Sequence, residues 1–241
     1  MHAHHASKLA TLTKRLDAKF HNSRAVSVAA VDMSSGRHFR YGATHGMVDA
    51  SVSKLDILEA LLLHHQHDNT TVDGEDDLLA AAMIEHSDNG AGQTLWNELG
   101  YAPSIAAANT TLGLRHTVPD PAGYYGLTTS CAADQLALLE NLVSDGPLTR
   151  QSRKYALSLL DDVEADQRWG VPAAADRDTR FVVKNGWMPA DDGGWIVNSD
   201  GIITVGSDRL LMAVMTRDNA TEQDGITLVE SIARRVATAL V

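Results

Sequence analysis

Ala50-Ser51-Val52-Ser53-Lys54-Leu55 runs into the apolar stretch Ile57-Leu58-Glu59-Ala60-Leu61-Leu62-Leu63. This reads as the first turn of a helix. At about 100° per residue, Ser51 and Lys54 fall roughly 60° apart on one face, and Ser53 points elsewhere. A serine hydroxyl is a poor nucleophile until a neighbour takes its proton. A lysine one turn away, its pKa lowered by burial and by other cations, can do that. Ser-x-x-Lys arises by chance about once in a chain of this size at ordinary composition. Taken alone, the pair also describes an exposed serine and an exposed lysine.

On the N-terminal side, residues 8–20 place Leu9, Leu12, Leu16 and Phe20 at helical spacing. Residues 26–31 are strand-like, residues 32–36 are turn chemistry, and residues 37–41 pair back as a hairpin. Beyond the Ser51 helix, the pattern stays helical to about residue 167. Segments 78–86, 90–99, 134–143 and 153–163 are the helices. The acidic run Glu75-Asp76-Asp77 suits the start of the first of them. An irregular stretch with Pro119, Pro121 and Gly123 occupies residues 114–127. Strand character returns at 181–183, from 195 through 205, and at 210–215. Residues 226–241 then close the chain as an amphipathic helix. The expected fold is α/β: an antiparallel sheet flanked by terminal helices (residues 1–50 and 177–241). An all-helical region (residues 51–176) is inserted, with a cleft where the two parts meet.

Composition narrows the function. The chain has 241 residues, is 44% hydrophobic, and carries a net charge of −11. Non-specific nucleic-acid binding needs a basic face, which this balance argues against. No apolar run reaches the ~18 to 20 residues of a membrane span. The N-terminus, with His2, His4 and His5, looks like a loose tail and lacks the features of a signal peptide. The chain as it stands reads as a cytoplasmic monomer, or as secreted if a leader has been removed. Cys131 is the single cysteine, so no intrachain disulfide is expected. There is no His-Glu-x-x-His pattern or cysteine cluster, so neither metal nor cofactor is expected.

Two further triplets accompany Ser51-x-x-Lys54. Ser87-Asp88-Asn89 falls between two predicted helices, and Lys184-Asn185-Gly186 closes the first late strand. Read singly, the first is a helix cap and the second a polar strand end. Together, in this order and at these separations, they resemble the penicillin-recognising serine hydrolases. These are the class A β-lactamases and the related DD-peptidases, marked by Ser-x-x-Lys, Ser-Asp-Asn and Lys-Thr-Gly. The resemblance implies a β-lactamase/transpeptidase-like fold and a small-molecule acyl substrate: a β-lactam, an ester or a peptide-like amide. It makes Ser51 the nucleophile and Lys54 the nearest base. Ser87 becomes a proton relay and Lys184 its electrostatic support. Asn89 would bind a substrate amide, and Gly186 would leave the strand edge free for substrate. Backbone N–H groups of Ser51 and Trp187 would form the oxyanion hole. Asp88 is expected to brace its loop.

The chain departs from that pattern in three places. Asn185 stands where the family has threonine or serine, and its amide can still hydrogen-bond a carboxylate. Trp187 is large where a small residue is usual. The loop that in class A β-lactamases carries a water-activating glutamate is only 14 residues here, between Gly113 and Thr128, and contains no Glu. Asp120 is its one carboxylate, better read as an Asp-Pro turn residue. Tyr124 and Tyr125 line the site or pack over the shortened loop. Two readings stay open: a serine hydrolase that is slow as a β-lactamase, or a non-catalytic binding or sensing member of the fold.

Overall fold

A computed structural model of the protein describes residues 2–20 and 23–241. Helix α1 (His2–Lys19) is followed by strands β1 (Val26–Asp32) and β2 (Arg37–Gly42) and the short β3 (Met47–Val48). Helices α2 (Ser53–Asp68), α3 (Gly74–Glu85), α4 (Asn89–Glu98) and α5 (Tyr101–Leu112) come next. They are followed by β4 (Thr129–Ser130), α6 (Ala132–Val143) and α7 (Arg150–Asp161). Strands β5 (Val182–Pro189), β6 (Trp195–Val205) and β7 (Asp208–Asn219) lead into helix α8 (Glu222–Leu240).

The five long strands form one antiparallel sheet in the order β2-β1-β7-β6-β5. Its central strands are buried on both faces, and every residue of β1 is buried. A sheet covered on both sides needs no polar alternation, so these strands read as nearly continuous apolar runs. On one face lie α1 and α8. Val229, Ile232, Val236 and Leu240 of α8 pack there with Leu12 and Leu16 of α1 and Val28, Val214 and Met212 of the sheet. Each such side chain contributes roughly 1.5–3 kcal/mol on burial. The other face meets α2 and the helices around it, through Leu55, Leu58, Leu95, Leu136 and Leu139.

Several local expectations need correction. Residues 2, 4 and 5, expected as a loose tail, belong to the backbone of α1; Met1 lies outside the described residues. The first late strand does not stop at the lysine triplet. It runs to Pro189, because it stays paired with β6 as far as Pro189 opposite Trp195. Lys184-Asn185-Gly186 therefore sits inside a strand. Helix α5 is an addition: its run of small and polar residues has no strong apolar stripe, and Pro103 falls in its first turn, where proline is tolerated. The two-residue strands β3 and β4 are too short to leave a periodic signal.

Candidate active site

Ser51 occupies a 3₁₀ turn, Ala50–Val52, that runs straight into α2. In 3₁₀ geometry, residues three apart eclipse one another. Ser51 and Lys54 therefore meet more directly than in a regular α-helix, with Lys54 Nζ 3.1 Å from Ser51 Oγ. Ser53 turns inward and donates to the Ala50 carbonyl at 2.6 Å. Ala50, just before the serine, has a φ of 51°, a left-handed conformation that costs a non-glycine residue about 1–3 kcal/mol.

Surrounding bonds hold that conformation. The buried Asn198 of β6 donates through Nδ2 to the carbonyls of Val48 and Asp49, both at 2.9 Å. Its Oδ1 accepts from Thr216 N at 3.1 Å. Buried Asp49 accepts from Ser130 Oγ and from Gln135 Nε2. The sequence singles out neither Asn198 nor Asp49. The available signal is Asn198-Ser199-Asp200, a polar interruption within an otherwise apolar strand.

Gly186 faces this turn from β5, the edge strand. A Cβ there would lie 2.6 Å from Val52 N and 2.7 Å from Ser51 N. A side chain on Gly186 would thus collide with the serine's own backbone. Glycine is needed so that strand and turn can touch.

Lys54 is fully buried. Besides Ser51, its amine lies 2.6 Å from the Ser87 carbonyl, 3.1 Å from Ser87 Oγ and 2.8 Å from Asn89 Oδ1. Burial lowers its pKa to about 8, against the opposing pull of Asp88. Two of the four partners, the Ser87 carbonyl and Asn89 Oδ1, can only accept. A neutral amine satisfies them with two hydrogens and keeps a lone pair for a hydroxyl. Lys184 is also buried, its Nζ 2.9 Å from Ser87 Oγ and 3.1 Å from the Asn185 carbonyl. Burial, reinforced by Lys54, lowers its pKa to about 7; Asp200, opposite it on β6, acts the other way.

Helix α4 begins at Asn89, capped by Asp88, whose Oδ1 accepts from Ala91 N at 2.7 Å. Asp88 thus braces the loop. Asn89 Oδ1 is held by Lys54 and by Tyr125 OH, the latter at 2.9 Å. That fixes the amide so that its oxygen faces the lysine. Tyr125 is buried with its ring beneath Lys54, the amine 5.6 Å from the ring centroid. Gly92 leaves room for both, since a Cβ there would lie 3.2 Å from the Tyr125 ring and 3.3 Å from Lys54 Cε. Tyr124 is exposed, its N–H donating to Asp120 Oδ2 at 3.0 Å. Asp120 is therefore engaged in its own turn.

Asn185 departs from expectation. It is buried, and its Nδ2 donates to the carbonyls of Gln167 and Trp169 at 2.7 and 3.1 Å. Both amide hydrogens are spent on backbone, so the residue pins the 167–169 segment and has none left for a carboxylate.

These residues border a cleft of about 440 Å³. Ser51, Asn89, Tyr124, Tyr125 and Trp187 line it, joined by Gln93, Leu127 and Met188, which the sequence did not single out. None of the lining side chains is a carboxylate. A larger hollow of about 590 Å³ lies between α1 and α8, lined by Lys8, Arg15, Arg234 and Arg235, and holds none of the residues above. Among the described residues, no group of three or more His, Cys, Asp or Glu is placed to share a metal ion. No helix among them is long and apolar enough to cross a membrane.

A model of the beta-lactamase enzyme family matches residues 66–240. The chain belongs to that family. The matched span takes in Ser87, Asn89 and Lys184 and begins after Ser51 and Lys54. A curated relative, "Putative lipoprotein LppW" of Mycobacterium tuberculosis (strain ATCC 25618 / H37Rv), is 28% identical over 214 residues. The alignment covers 84% of this chain and 67% of the relative. Among solved structures, TLA-3 extended-spectrum beta-lactamase superposes with a TM-score of 0.84 at 16% identity, covering 96% of this chain and 99% of that one. PBP-A superposes with a TM-score of 0.80 at 19% identity, covering 95% of each. At those identities the likeness is one of fold. This member of the beta-lactamase family thus has the mixed α/β architecture with an antiparallel sheet.

Proposed function

We propose that the protein is a serine hydrolase that forms an acyl-enzyme on Ser51 with an ester, amide or lactam. The observation that carries this reading is the 3.1 Å contact between Ser51 Oγ and the buried Lys54 amine. A neutral Lys54 takes the hydroxyl proton as Ser51 Oγ attacks the acyl carbonyl. Ser87 Oγ lies within reach of both Lys54 and Lys184. With its lone pairs facing two amines, its own hydrogen is free to go to the leaving group. Lys54 then replaces the proton that Ser87 has given up. Asn89, its oxygen fixed by Lys54 and Tyr125, offers its NH₂ to the acyl side of the substrate. Gly186 sets β5 against the Ser51 turn, so the N–H groups of Ser51 and Trp187 are the candidates for the oxyanion hole.

Release of the acyl group requires an activated water. With no carboxylate lining the cleft, Lys54 has to serve both half-reactions, and deacylation is slow. The same feature favours the second reading, in which a long-lived acyl-enzyme makes the protein a binder or sensor of such compounds. The protein acts as a monomer. The printed name of its relative, "Putative lipoprotein LppW", supports an envelope setting over a cytoplasmic one.

Labelling tests the assignment. A fluorophosphonate or a fluorescent penicillin is expected to mark the native protein, and Ser51→Ala to abolish the mark. Equal labelling of the variant would defeat the proposal.

A further inference from the structure

Trp187 belongs to two hollows. One is the cleft at Ser51; the other, also about 440 Å³, is lined by Asp166, Gln167, Trp169, Glu222 and Glu230 among others. The two adjoin at Trp187, which borders both on the edge strand β5. No lysine or arginine lines the second hollow. Glu230 is paired with Arg234 at 3.1 Å, whereas neither Asp166 nor Glu222 has a cationic partner among the described residues. Trp169 and Trp187 stand edge to face, ring centroids 5.7 Å apart at 66°. Gln167, only 7% exposed, donates through Nε2 to the His86 carbonyl, and its Oε1 has no hydrogen-bond partner.

We infer that this second hollow is a substrate subsite for a cationic group, an alkylammonium or quaternary ammonium, carried by the acyl donor that Ser51 attacks. The inference rests on the acyl-serine reading and deepens it. Two uncompensated carboxylates supply the charge. The indole faces attract the same cation through their quadrupoles and cover its methyl groups. An anionic substituent at this position meets two like charges and no cation. The natural acyl donor is then cationic on this side, unlike a penicillin, whose carboxylate is anionic.

Three aryl esters of equal size test this, ending in trimethylammonium, tert-butyl or carboxylate groups. The readout is the rate of Ser51 acylation by intact mass at low salt. The cationic ester is expected to react roughly tenfold faster than the neutral one, as cation–π and charge attraction of ordinary size allow, and the anionic ester slowest. In the double variant Asp166→Asn, Glu222→Gln, the cationic-to-neutral ratio should collapse to about two or less. A ratio near one in the native protein, or a ratio unchanged in the double variant, overturns the subsite. Binding of benzyltrimethylammonium to Ser51→Ala, followed by tryptophan fluorescence, separates this from the chemistry. Saturable binding weakened in the Asp166→Asn, Glu222→Gln background supports the subsite even if no ester acylates Ser51. Absence of binding rejects the subsite even if the neutral ester acylates.

Discussion

Lys54 and Lys184 meet at one atom: the Ser87 hydroxyl oxygen is 3.1 Å from the first amine and 2.9 Å from the second. Two buried amines around one hydroxyl destabilise each other's charge. The lower pKa of Lys184 owes part of its shift to Lys54. In a low-dielectric cleft this arrangement favours a lysine that is a base near neutral pH.

The first prediction concerns that base. With its pKa lowered to about 8, the neutral fraction of Lys54 grows about tenfold per pH unit below that value and then levels off. Acylation of Ser51 by a neutral ester should follow this curve between pH 5.5 and 9 in stopped-flow or mass measurements. Lys54→Ala should lower the rate by about 10²–10⁴-fold and remove the inflection. A flat profile in the native protein would count against Lys54 as the base.

Gly186→Ala probes the contact between strand and turn. The new methyl would lie 2.6–2.7 Å from two backbone nitrogens, and backbone yields little. Overpacking of this kind costs about 1–3 kcal/mol. A lower thermal midpoint and slower acylation should appear together. Wild-type values for both would mean the turn moves freely.

Asn198→Ala removes two N–H donors from the backbone leading into Ser51, leaving the Asp49 carbonyl with only the 3.3 Å bond from Val52 N. Such losses run to about 1–3 kcal/mol each. Denaturant melts should show the drop, and acylation should slow because the left-handed Ala50 is no longer held.

Buried acids set the pH dependence of stability. Burial raises Asp56 to about 7 and pushes Glu59, Asp49 and Asp200 well above the usual carboxylate range. A raised pKa means the folded state binds more protons than the unfolded chain. The stability it contributes is present below the unfolded value near 4 and is lost as pH rises through the folded one. Thermal midpoints should therefore fall from pH 5 to pH 7, below the range where the lowered pKa values of Lys184 and Lys54 act the other way, each such acid contributing at most about 1.4 kcal/mol per pH unit within its window. Asp56→Asn, which keeps an acceptor for Asn109 Nδ2 at 3.1 Å, should flatten that fall. An unchanged slope would show that Asp56 is charged in the folded state.

What the sequence displays depends on the kind of signal. The sheet strands and terminal helices are legible because a doubly covered sheet and amphipathic helices leave periodic apolar patterns. Ser51, Lys54, Ser87, Asn89 and Lys184 stand out through residue type and order, and the folded chain brings their polar atoms together. The supporting residues are hidden. Asn198 and Asp49 act through backbone carbonyls and buried hydroxyls far apart in the chain, and no local spacing encodes such partners. Asn185 misleads for the same reason. Its neighbours in sequence suggest a substrate contact, but the chain lays residues 167–169 against it. In the sequence Trp187 offers a backbone N–H and an unusually large side chain, and the second hollow that this side chain borders leaves no local signal.

Acylation at Ser51 is read directly by intact-mass analysis of the native protein during incubation with a simple activated ester and with a penicillin, followed by peptide mapping. A one-to-one adduct on Ser51 is expected, forming faster at pH 8 than at pH 6 and decaying slowly. An adduct on another residue, or turnover of either compound that persists in Ser51→Ala, would contradict it.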